Sequence, residues 1–303
     1  MSIKRMVPWW GRIAAKIVLS RLPIPYGIWK RLHLFEHGDM NRPAQAWDTF
    51  LMHARSGAVL DTTAAVPTFI SKTGDFNVLE LGPGDSLFSA VIASSLGASS
   101  TYLVDAGDFA TKDMSAYADL DTFLRSKGQQ TPLRGIPDSL PALLDTCRAR
   151  YLTGGVHSLA SLSADSVDFC FSNAVLEHIP KADFQQLARE LFRILKSDGV
   201  CVHRVDLKDH LGGALNNLRF SEDRWEGPLF RNSGFYTNRI RFTDMVEIFK
   251  QAGFECALPR IARWNQLPTP RNKLNAAFKD LPGEDLLVSG FDIVLSRRTG
   301  QIA

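Results

Sequence analysis

The stretch VLELGPGDS, residues 78–86, places an acid directly before a glycine-rich turn. Glu80 precedes Gly82 and Gly84, and glycines at this spacing let the backbone approach a ligand closely. Such turns usually hold a phosphate at the start of a helix, and a phosphate would repel a neighbouring carboxylate. The acid therefore favours a ligand that carries positive charge or hydroxyl groups, such as an ammonium ion joined to a nucleoside.

A second acid, Asp105, ends the next predicted strand, 23 residues after Gly82. An acid at this place binds ribose hydroxyls in nucleotide-binding folds. Leu87 occupies the position of the third glycine of the G-x-G-x-x-G fingerprint, which argues against a nicotinamide cofactor. For Glu80 and Asp105 the alternative is a pair of solvated acids at strand ends, without a ligand.

The segment HRVDLKDHLGG, residues 203–213, collects two histidines and two aspartates. A hydroxyl group gains nucleophilicity from a general base, and a histidine oriented by a carboxylate is a common one. We therefore expect His210 to be the base and Asp206 or Asp209 to orient it. The same three side chains could instead hold a divalent cation, and a polar loop without chemistry is the third alternative.

Two further groups extend this site. Glu177 and His178 begin a helix on the same rim and are second candidates for acid–base chemistry. Aromatic, amide and guanidinium side chains suit a carbohydrate or an anionic glycan, and they recur in the segment 207–241. The predicted substrate-binding residues are Trp225, Tyr236, Asn238, Arg239 and Arg241. A structural latch that ties this segment to the rest of the protein is the equal alternative.

Alternating strand and helix patterns surround these residues. Strands are predicted at 77–81, 101–105, 167–172, 200–205, 254–261 and 286–297, and helices at 87–96, 119–127, 139–150, 184–196 and 244–252. This alternation predicts an α/β, doubly wound sheet with ligands at the carboxyl ends of its strands. The segment 207–241 breaks the alternation and is interpreted as an insertion after the fifth strand, over the active site.

Four landmarks, residues 78–86, 103–105, 166–180 and 191–200, resemble the class I S-adenosylmethionine-dependent methyltransferases in order and spacing. The resemblance implies a Rossmann-like, seven-stranded sheet whose last strand is antiparallel. It also implies S-adenosylmethionine as the cofactor, with a divalent metal not required. The cofactor-binding residues that it implies are Glu80, Gly82 and Gly84 for the methionine end, Asp105 and Ala106 for the ribose, Asn173 for the sulfonium, and the backbone of Gly155 and Val156 for adenine.

The methyl acceptor is less closely defined. The segment Ser172–Val175 lacks the proline-rich motif of methyltransferases that act on nucleic-acid bases. A weaker similarity to methyltransferases of bacterial surface-polysaccharide pathways favours O-methylation of a sugar hydroxyl. The alternatives are a small aromatic or natural-product metabolite as the acceptor, or a degenerate methyltransferase fold that serves as a scaffold.

Composition sets the remaining expectations. The net charge of +3 is too small to indicate a nucleic-acid partner, but residues 1–42 carry eight Lys and Arg against two acids. We expect a basic, aromatic, helical N-terminal arm at 1–60 and a methyltransferase domain at 61–303. The arm either caps the cofactor pocket or lies on an anionic membrane surface. No segment is long and apolar enough to span a bilayer, which favours a cytoplasmic protein, with the arm able to contact the inner membrane face.

Overall fold

The computed structural model describes residue 11 and residues 41–297, except for 62, 64, 65 and 71–73. Within these ranges the strands are β1 Leu60–Asp61, β2 Thr68–Phe69, β3 Asn77–Leu81, β4 Ser100–Val104, β5 Ala149–Leu152, β6 Val167–Asn173, β7 Leu195–Asp206, β8 Phe254–Arg263 and β9 Val288–Arg297. The helices are α1 Pro43–Ser56, α2 Phe88–Ser95, α3 Met114–Ser126, α4 Leu140–Thr146, α5 Lys181–Ile194, α6 Glu222–Trp225, α7 Pro228–Arg231, α8 Phe242–Gln251, α9 Ala276–Lys279 and α10 Gly283–Leu286.

Seven of the strands form one mixed sheet in the order β5-β4-β3-β6-β7-β9-β8. Strand β9 runs antiparallel to both β7 and β8, whereas β3 pairs in parallel with β4 and β6. The predicted Rossmann-like sheet with an antiparallel last strand is therefore confirmed. The chain order reverses direction between β3 and β6, and ligands bind at such a switch point in open α/β sheets.

Apolar side chains alternate between the two faces of the sheet and pack against helices on both sides. Phe169 and Phe171 face α1, where the Phe50 ring lies 5.1 Å from that of Phe171. On the opposite face, Phe184 of α5 packs edge to face against Phe249 of α8. Because both faces are covered, β6 is buried almost continuously from Val167 to Ser172 rather than at alternate positions.

Helix α1 lies within the region that the sequence assigns to the N-terminal arm. Its buried residues belong to the same hydrophobic core as β6 and β7. The packed domain therefore begins before residue 61, and part of the predicted arm 1–60 is a helix of the sheet's own core. The rest of the predicted arm lies almost entirely outside the described residues. None of the described helices is long and apolar enough to cross a membrane.

Strand β5 was not predicted from the sequence, which assigned its first residues to a helix. The predicted helix at 139–150 ends as α4 at Thr146, and β5 begins at Ala149. Between them Arg148 adopts a left-handed conformation with φ of 50°, which breaks the helix. Leu140, Leu143 and Cys147 continue a helical spacing up to this break, so periodicity alone does not reveal a strand of only four residues.

Candidate active site

The glycine turn after β3 requires glycine by its shape. Gly82 and Gly84 both have φ of +66°, a conformation that side chains disfavour. A Cβ atom on Gly82 would lie 2.5 Å from Val175 Cγ2, so a side chain there would collide with the segment after β6. The Gly82 N–H donates to Val104 O at 2.8 Å, which ties the turn to β4. The turn therefore packs tightly between the ends of two strands.

Asp105 connects this turn to the ends of β4 and β5. Its carboxylate accepts hydrogen bonds from the Gly84 N–H at 2.9 Å and from the Ala106 N–H at 2.7 Å. These two bonds hold the carboxylate beside the glycine turn, and an ionised carboxylate is an acceptor suited to hydroxyl donors. Gly155 donates its N–H to Asp105 O at 2.8 Å. That N–H is therefore already used, which leaves the Gly155 carbonyl and the backbone of Val156 as the predicted adenine contacts.

Glu80 lies beneath the glycine turn and is 4% exposed. Burial raises the pKa of its carboxyl to about 8; the Ser89 hydrogen bond opposes the shift, and the Asp105 charge adds to it. Oε2 is buried without a hydrogen-bond partner among the described residues. A solvated strand-end acid is therefore the wrong interpretation of Glu80. A buried acid with an unpartnered oxygen beside a glycine turn fits a cationic ligand such as S-adenosylmethionine.

Strand β6 ends next to this turn. Asn173 is its last residue, and the Asn173 Oδ1 atom is buried. Ala174 adopts a left-handed conformation with φ of 55°, which is unfavourable for a residue with a side chain. This sharp turn carries Val175 onto Gly82. The predicted cofactor residues Glu80, Gly82, Gly84, Asp105 and Asn173 therefore come together at one edge of the sheet.

The side chain of Asp209 holds the loop after β7 together. Both carboxylate oxygens of Asp209 accept hydrogen bonds from the loop itself, with the N–H groups of Leu211, Gly212, Gly213 and Asn216 and the Asn216 side chain as donors. Asp206 accepts from the Lys208 N–H and forms an ion pair with the Lys208 ammonium group. The contacts thus give Asp209 a role in building the loop, which corrects the expectation that it is available to orient His210 or to hold a metal.

His210 stacks on His178 at the rim of the sheet. Their ring centroids are 4.8 Å apart and the ring planes differ by 18°. His178 Nδ1 lies 2.9 Å from Tyr236 O, and because a carbonyl only accepts, Nδ1 must carry the proton. The neutral ring therefore has its lone pair on Nε2. Glu177, in contrast, is buried, and its Oε1 accepts from the Asp206 N–H at 3.3 Å.

The predicted substrate-binding residues are buried instead of lining an open surface. Trp225 is 0% exposed and its Nε1 donates to Thr237 O at 2.7 Å. Asn238 donates to Leu176 O at 2.8 Å and to Ile179 O at 2.9 Å. The Tyr236 hydroxyl donates to the Glu226 carboxylate at 2.9 Å.

Both arginines of this set are buried in the same way. The Arg239 guanidinium lies between the rings of Trp225 and Phe278, at 5.3 and 5.0 Å from their centroids. Arg241 donates to the carbonyls of Asp285 and Val288, both at 2.8 Å. These contacts correspond to the latch alternative, and none of them places one of the five side chains on an open substrate-binding surface. Amide and guanidinium donors bind backbone carbonyls as readily as sugars, and sequence alone does not separate the two uses.

The described residues contain one group with the spacing of metal ligands, and it is not the predicted one. Cys170, Cys201 and His203 lie close together on the face of the sheet that packs against α8. Burial is the main cause that raises the pKa of Cys170, so its thiol stays protonated and is a poor ligand. Asp206, Asp209 and His210 do not converge in this way. His203 donates or accepts at Ser172 Oγ, 2.8 Å away, as a core histidine does.

One buried histidine near the site, His53, was not among the residues predicted from the sequence. His53 lies on α1 and is buried, with its ring 5.4 Å from that of Phe171. The sequence signal was present but weak: a histidine falls on the buried face of a helix whose other buried residues are mostly apolar, among them Ala46, Phe50 and Ala54. Such a residue needs a buried partner, and sequence does not show which one.

Comparison with known proteins agrees with this geometry. A family described as a methyltransferase domain matches residues 41–258. No curated protein matches significantly. Similar solved structures include an S-adenosylmethionine-dependent methyltransferase from Methanosarcina mazei, with 18% identity over 74% of this chain and 93% of that chain and a TM-score of 0.42. A second S-adenosylmethionine-dependent methyltransferase, from Mesorhizobium loti, has 15% identity over 75% of this chain and 94% of that chain and a TM-score of 0.40.

The YcgJ protein from Bacillus subtilis is also similar, with 16% identity over 75% of this chain and 94% of that chain and a TM-score of 0.39. Assignment rests on the family match, which spans more than half of the chain, and on the strand order and glycine turn described above. The chain belongs to the methyltransferase domain family and is a class I S-adenosylmethionine-dependent methyltransferase.

Proposed function

We propose that this methyltransferase methylates a hydroxyl group, and that the acceptor is a sugar or glycan. The observation that carries the proposal is the stacked pair of imidazoles, His178 and His210, at the carboxyl ends of β6 and β7. A hydroxyl has a pKa far above 7 and benefits from a base that removes its proton, whereas a neutral amine does not. Imidazole is the side chain best matched to that task near neutral pH.

The residues around the glycine turn hold the cofactor in this proposal. Glu80 attracts the cationic end of the ligand, Gly82 and Gly84 let the backbone approach it, and Asp105 accepts from ribose hydroxyls. When bound, S-adenosylmethionine supplies an activated methyl group on a sulfonium. The protein's contribution is to orient both ligands and to exclude water from the site.

The histidine pair removes the acceptor's proton. His210 is the base, on a loop that Asp209 holds rigid through its five hydrogen bonds. His178 stacks against it with a fixed tautomer, because Nδ1–H donates to Tyr236 O. Two stacked rings cannot both carry a full charge at low cost, so the pair is suited to hold one proton.

The sugar or glycan acceptor is supported by the weaker sequence resemblance to surface-polysaccharide methyltransferases. The buried latch residues add no support, because they provide no sugar-stacking surface. Such an acceptor agrees with a cytoplasmic enzyme whose basic N-terminal arm contacts the inner membrane face, where lipid-linked glycans are assembled. A small-molecule acceptor is the outcome that would replace this proposal. No nucleic-acid partner is proposed, since the overall charge is only +3.

Transfer of a labelled methyl group tests the proposal. The protein is incubated with labelled S-adenosylmethionine and either a cell-envelope extract or a small-molecule fraction. We expect label in the envelope glycans, and a roughly 10²–10⁴-fold slower transfer by His210→Ala, the usual contribution of a positioned base. EDTA should leave the rate unchanged.

The matched control is Arg189→Ala, which replaces an exposed residue of α5 and should transfer at the wild-type rate. Label confined to small molecules would contradict the glycan acceptor. Unchanged transfer by both His210→Ala and His178→Ala would contradict base catalysis and leave positioning alone as the source of the rate.

A further inference from the structure

Helix α1 carries a histidine where packing alone would select an apolar residue. His53 is 2% exposed and shares its helix face with Phe50 and Ala54, which belong to the core. Its ring lies against Phe171 of β6. A buried imidazole loses its hydration, and a leucine would fill this space without that loss. The polar identity of this residue therefore calls for a polar partner.

Asn173 offers a complementary group. The Nε2 atom of His53 and the Oδ1 atom of Asn173 are both buried, and neither atom has a hydrogen-bond partner among the described residues. Burial lowers the pKa of His53 to about 4, and the interaction with the Asn173 side chain opposes this shift. The imidazole is therefore neutral at physiological pH and carries a single N–H.

The charges around His53 do not change this state. Arg204 lowers the pKa of His53 and Asp292 raises it. These two residues form an ion pair, with Arg204 Nε 3.0 Å from Asp292 Oδ1, so their charges act on the imidazole in opposite directions. Burial, and not a neighbouring charge, is the main cause of the neutral state of His53.

We propose that His53 is a positioning residue of the active site: its Nε2–H donates to Asn173 Oδ1 and thereby fixes the orientation of the Asn173 amide. With the oxygen held inwards, the amide N–H₂ is the group presented to the ligand. An N–H₂ group donates to an oxygen and is poorly suited to a sulfonium. The ligand atom at Asn173 is accordingly a carboxylate or hydroxyl oxygen of the cofactor.

The backbone around Asn173 connects this pair to the cofactor turn. Ala174, the next residue, is left-handed, and its N–H donates to Arg204 O at 2.8 Å. Val175 then fills the space that a side chain on Gly82 would take. The proposed hydrogen bond therefore connects α1 through Asn173 and Val175 to the glycine turn, although the helix is remote from that turn in sequence.

Binding measurements on the full chain test this role, which rests on the cofactor assignment but not on the acceptor. Affinities for S-adenosylmethionine and for S-adenosylhomocysteine, which keeps the oxygens and lacks the sulfonium charge, are measured by isothermal titration. His53→Phe keeps an aromatic ring against Phe171 and removes the donor. We expect it to weaken binding of both ligands by the same factor, roughly 3- to 10-fold, the contribution of one positioned hydrogen bond.

Two further variants separate positioning from packing. His53→Gln places an amide N–H near the position of Nε2 and should restore both affinities to within about twofold of wild type. In an Asn173→Ala background, His53→Phe should have no further effect, because the group that it positions is gone. Phe50→Leu, one turn earlier on α1, should lower thermal stability and leave both affinities unchanged. If the phenylalanine variant fails to fold, His53→Leu replaces it.

Each alternative outcome contradicts the proposal in a distinct way. Weaker binding of S-adenosylmethionine alone would show that the amide faces the sulfonium. His53 would be only a packing residue if His53→Phe and His53→Gln lowered the two affinities equally. The same would follow if the losses from His53→Phe and Asn173→Ala were additive in the double variant. Failure of the wild-type protein to bind either ligand would instead overturn the cofactor assignment itself.

Discussion

At the scale of single residues, the charge of Glu80 depends on burial. Its pKa of about 8 in the folded protein lies above the ordinary value of 4.5, chiefly because burial disfavours the charged form. The folded state therefore binds this proton more tightly than the unfolded chain does. The stability that Glu80 contributes is fully present below about pH 4.5 and is lost as the pH rises towards 8.

Binding of a cation should reverse this preference and expel the proton. At pH 7 we expect wild-type protein to release up to about one proton for each S-adenosylmethionine bound, because the cationic ligand favours the ionised carboxylate. Isothermal titration in two buffers with different ionisation enthalpies measures this release as a difference in heat. Glu80→Gln is the control, and its binding should be weaker and free of this difference. Equal heats for the wild type in both buffers would show that Glu80 does not pair with the ligand.

The residues differ in how far sequence could identify them. Glu80, Gly82, Gly84 and Asp105 are specified by a local motif whose geometry repeats wherever a strand enters a tight turn, and the structure brings them together. The proposed contact of His53 on α1 with Asn173 joins residues far apart in sequence, and no local pattern encodes it. Arg239 is charged and still buried, because Trp225, Phe278 and the carbonyls around it replace water.

At the scale of elements, the glycine turn is the most constrained part of the site. Two features of Gly82 exclude a side chain: its positive φ and the contact with Val175. Gly97 has only the first feature, since its φ is +96° but a Cβ atom at this position would meet open space. This pair allows the two effects to be separated by experiment.

Substitution of these two glycines should have unequal effects on stability. Gly97→Ala should lower the free energy of unfolding by about 1–2 kcal/mol, the strain of a left-handed residue. Gly82→Ala should lower it by a further ~1–3 kcal/mol and weaken cofactor binding, because the turn and Val175 must separate. Urea unfolding and isothermal titration measure the two effects. Adding Val175→Ala to Gly82→Ala should restore part of the stability, and equal losses for the two single variants would contradict the proposed contact.

Elements with strong periodicity were predictable, and short or edge elements were not. The amphipathic pattern of Phe184, Leu187 and Leu191 predicted α5, because its spacing matches one helix face. Strand β5 was missed because four residues at the sheet edge carry too little pattern. The segment 207–241 was marked in the sequence only by its break in alternation, because its short helices α6 and α7 depend on tertiary contacts of Trp225 and Phe230.

At the scale of the whole molecule, helix α1 decides where the folded unit begins. Residues Ala46, Phe50, Leu51 and Ala54 pack against the same core as Phe169, Phe171, Val200 and Val202 of the sheet. The family match also begins at residue 41. Burial of each large apolar side chain contributes about 1.5–3 kcal/mol to the free energy of unfolding. Loss of the helix would therefore remove much of the stability of a typical domain.

Two truncations therefore distinguish the basic segment from the helix. Removal of residues 1–40 should leave cooperative urea unfolding and cofactor binding intact, whereas removal of residues 1–60 should abolish both. Sedimentation with anionic lipid vesicles, compared with neutral vesicles, reports on the proposed membrane contact, and only the full chain should bind the anionic ones. Cooperative unfolding after removal of residues 1–60 would show that α1 is dispensable, and equal vesicle binding by the 1–40 truncation would remove the membrane proposal.

The central claim is that the site at the ends of β3, β4 and β6 binds S-adenosylmethionine through Asp105 and the glycine turn. Isothermal titration of the full chain with S-adenosylmethionine and with NAD, for wild type and for Asp105→Ala, tests it most directly. The account predicts that wild type binds S-adenosylmethionine and not NAD. It predicts at least roughly tenfold weaker binding by Asp105→Ala, which loses the ribose contacts and the hydrogen bonds to Gly84 and Ala106. Equal affinity of the two proteins, or binding of NAD in place of S-adenosylmethionine, would contradict it.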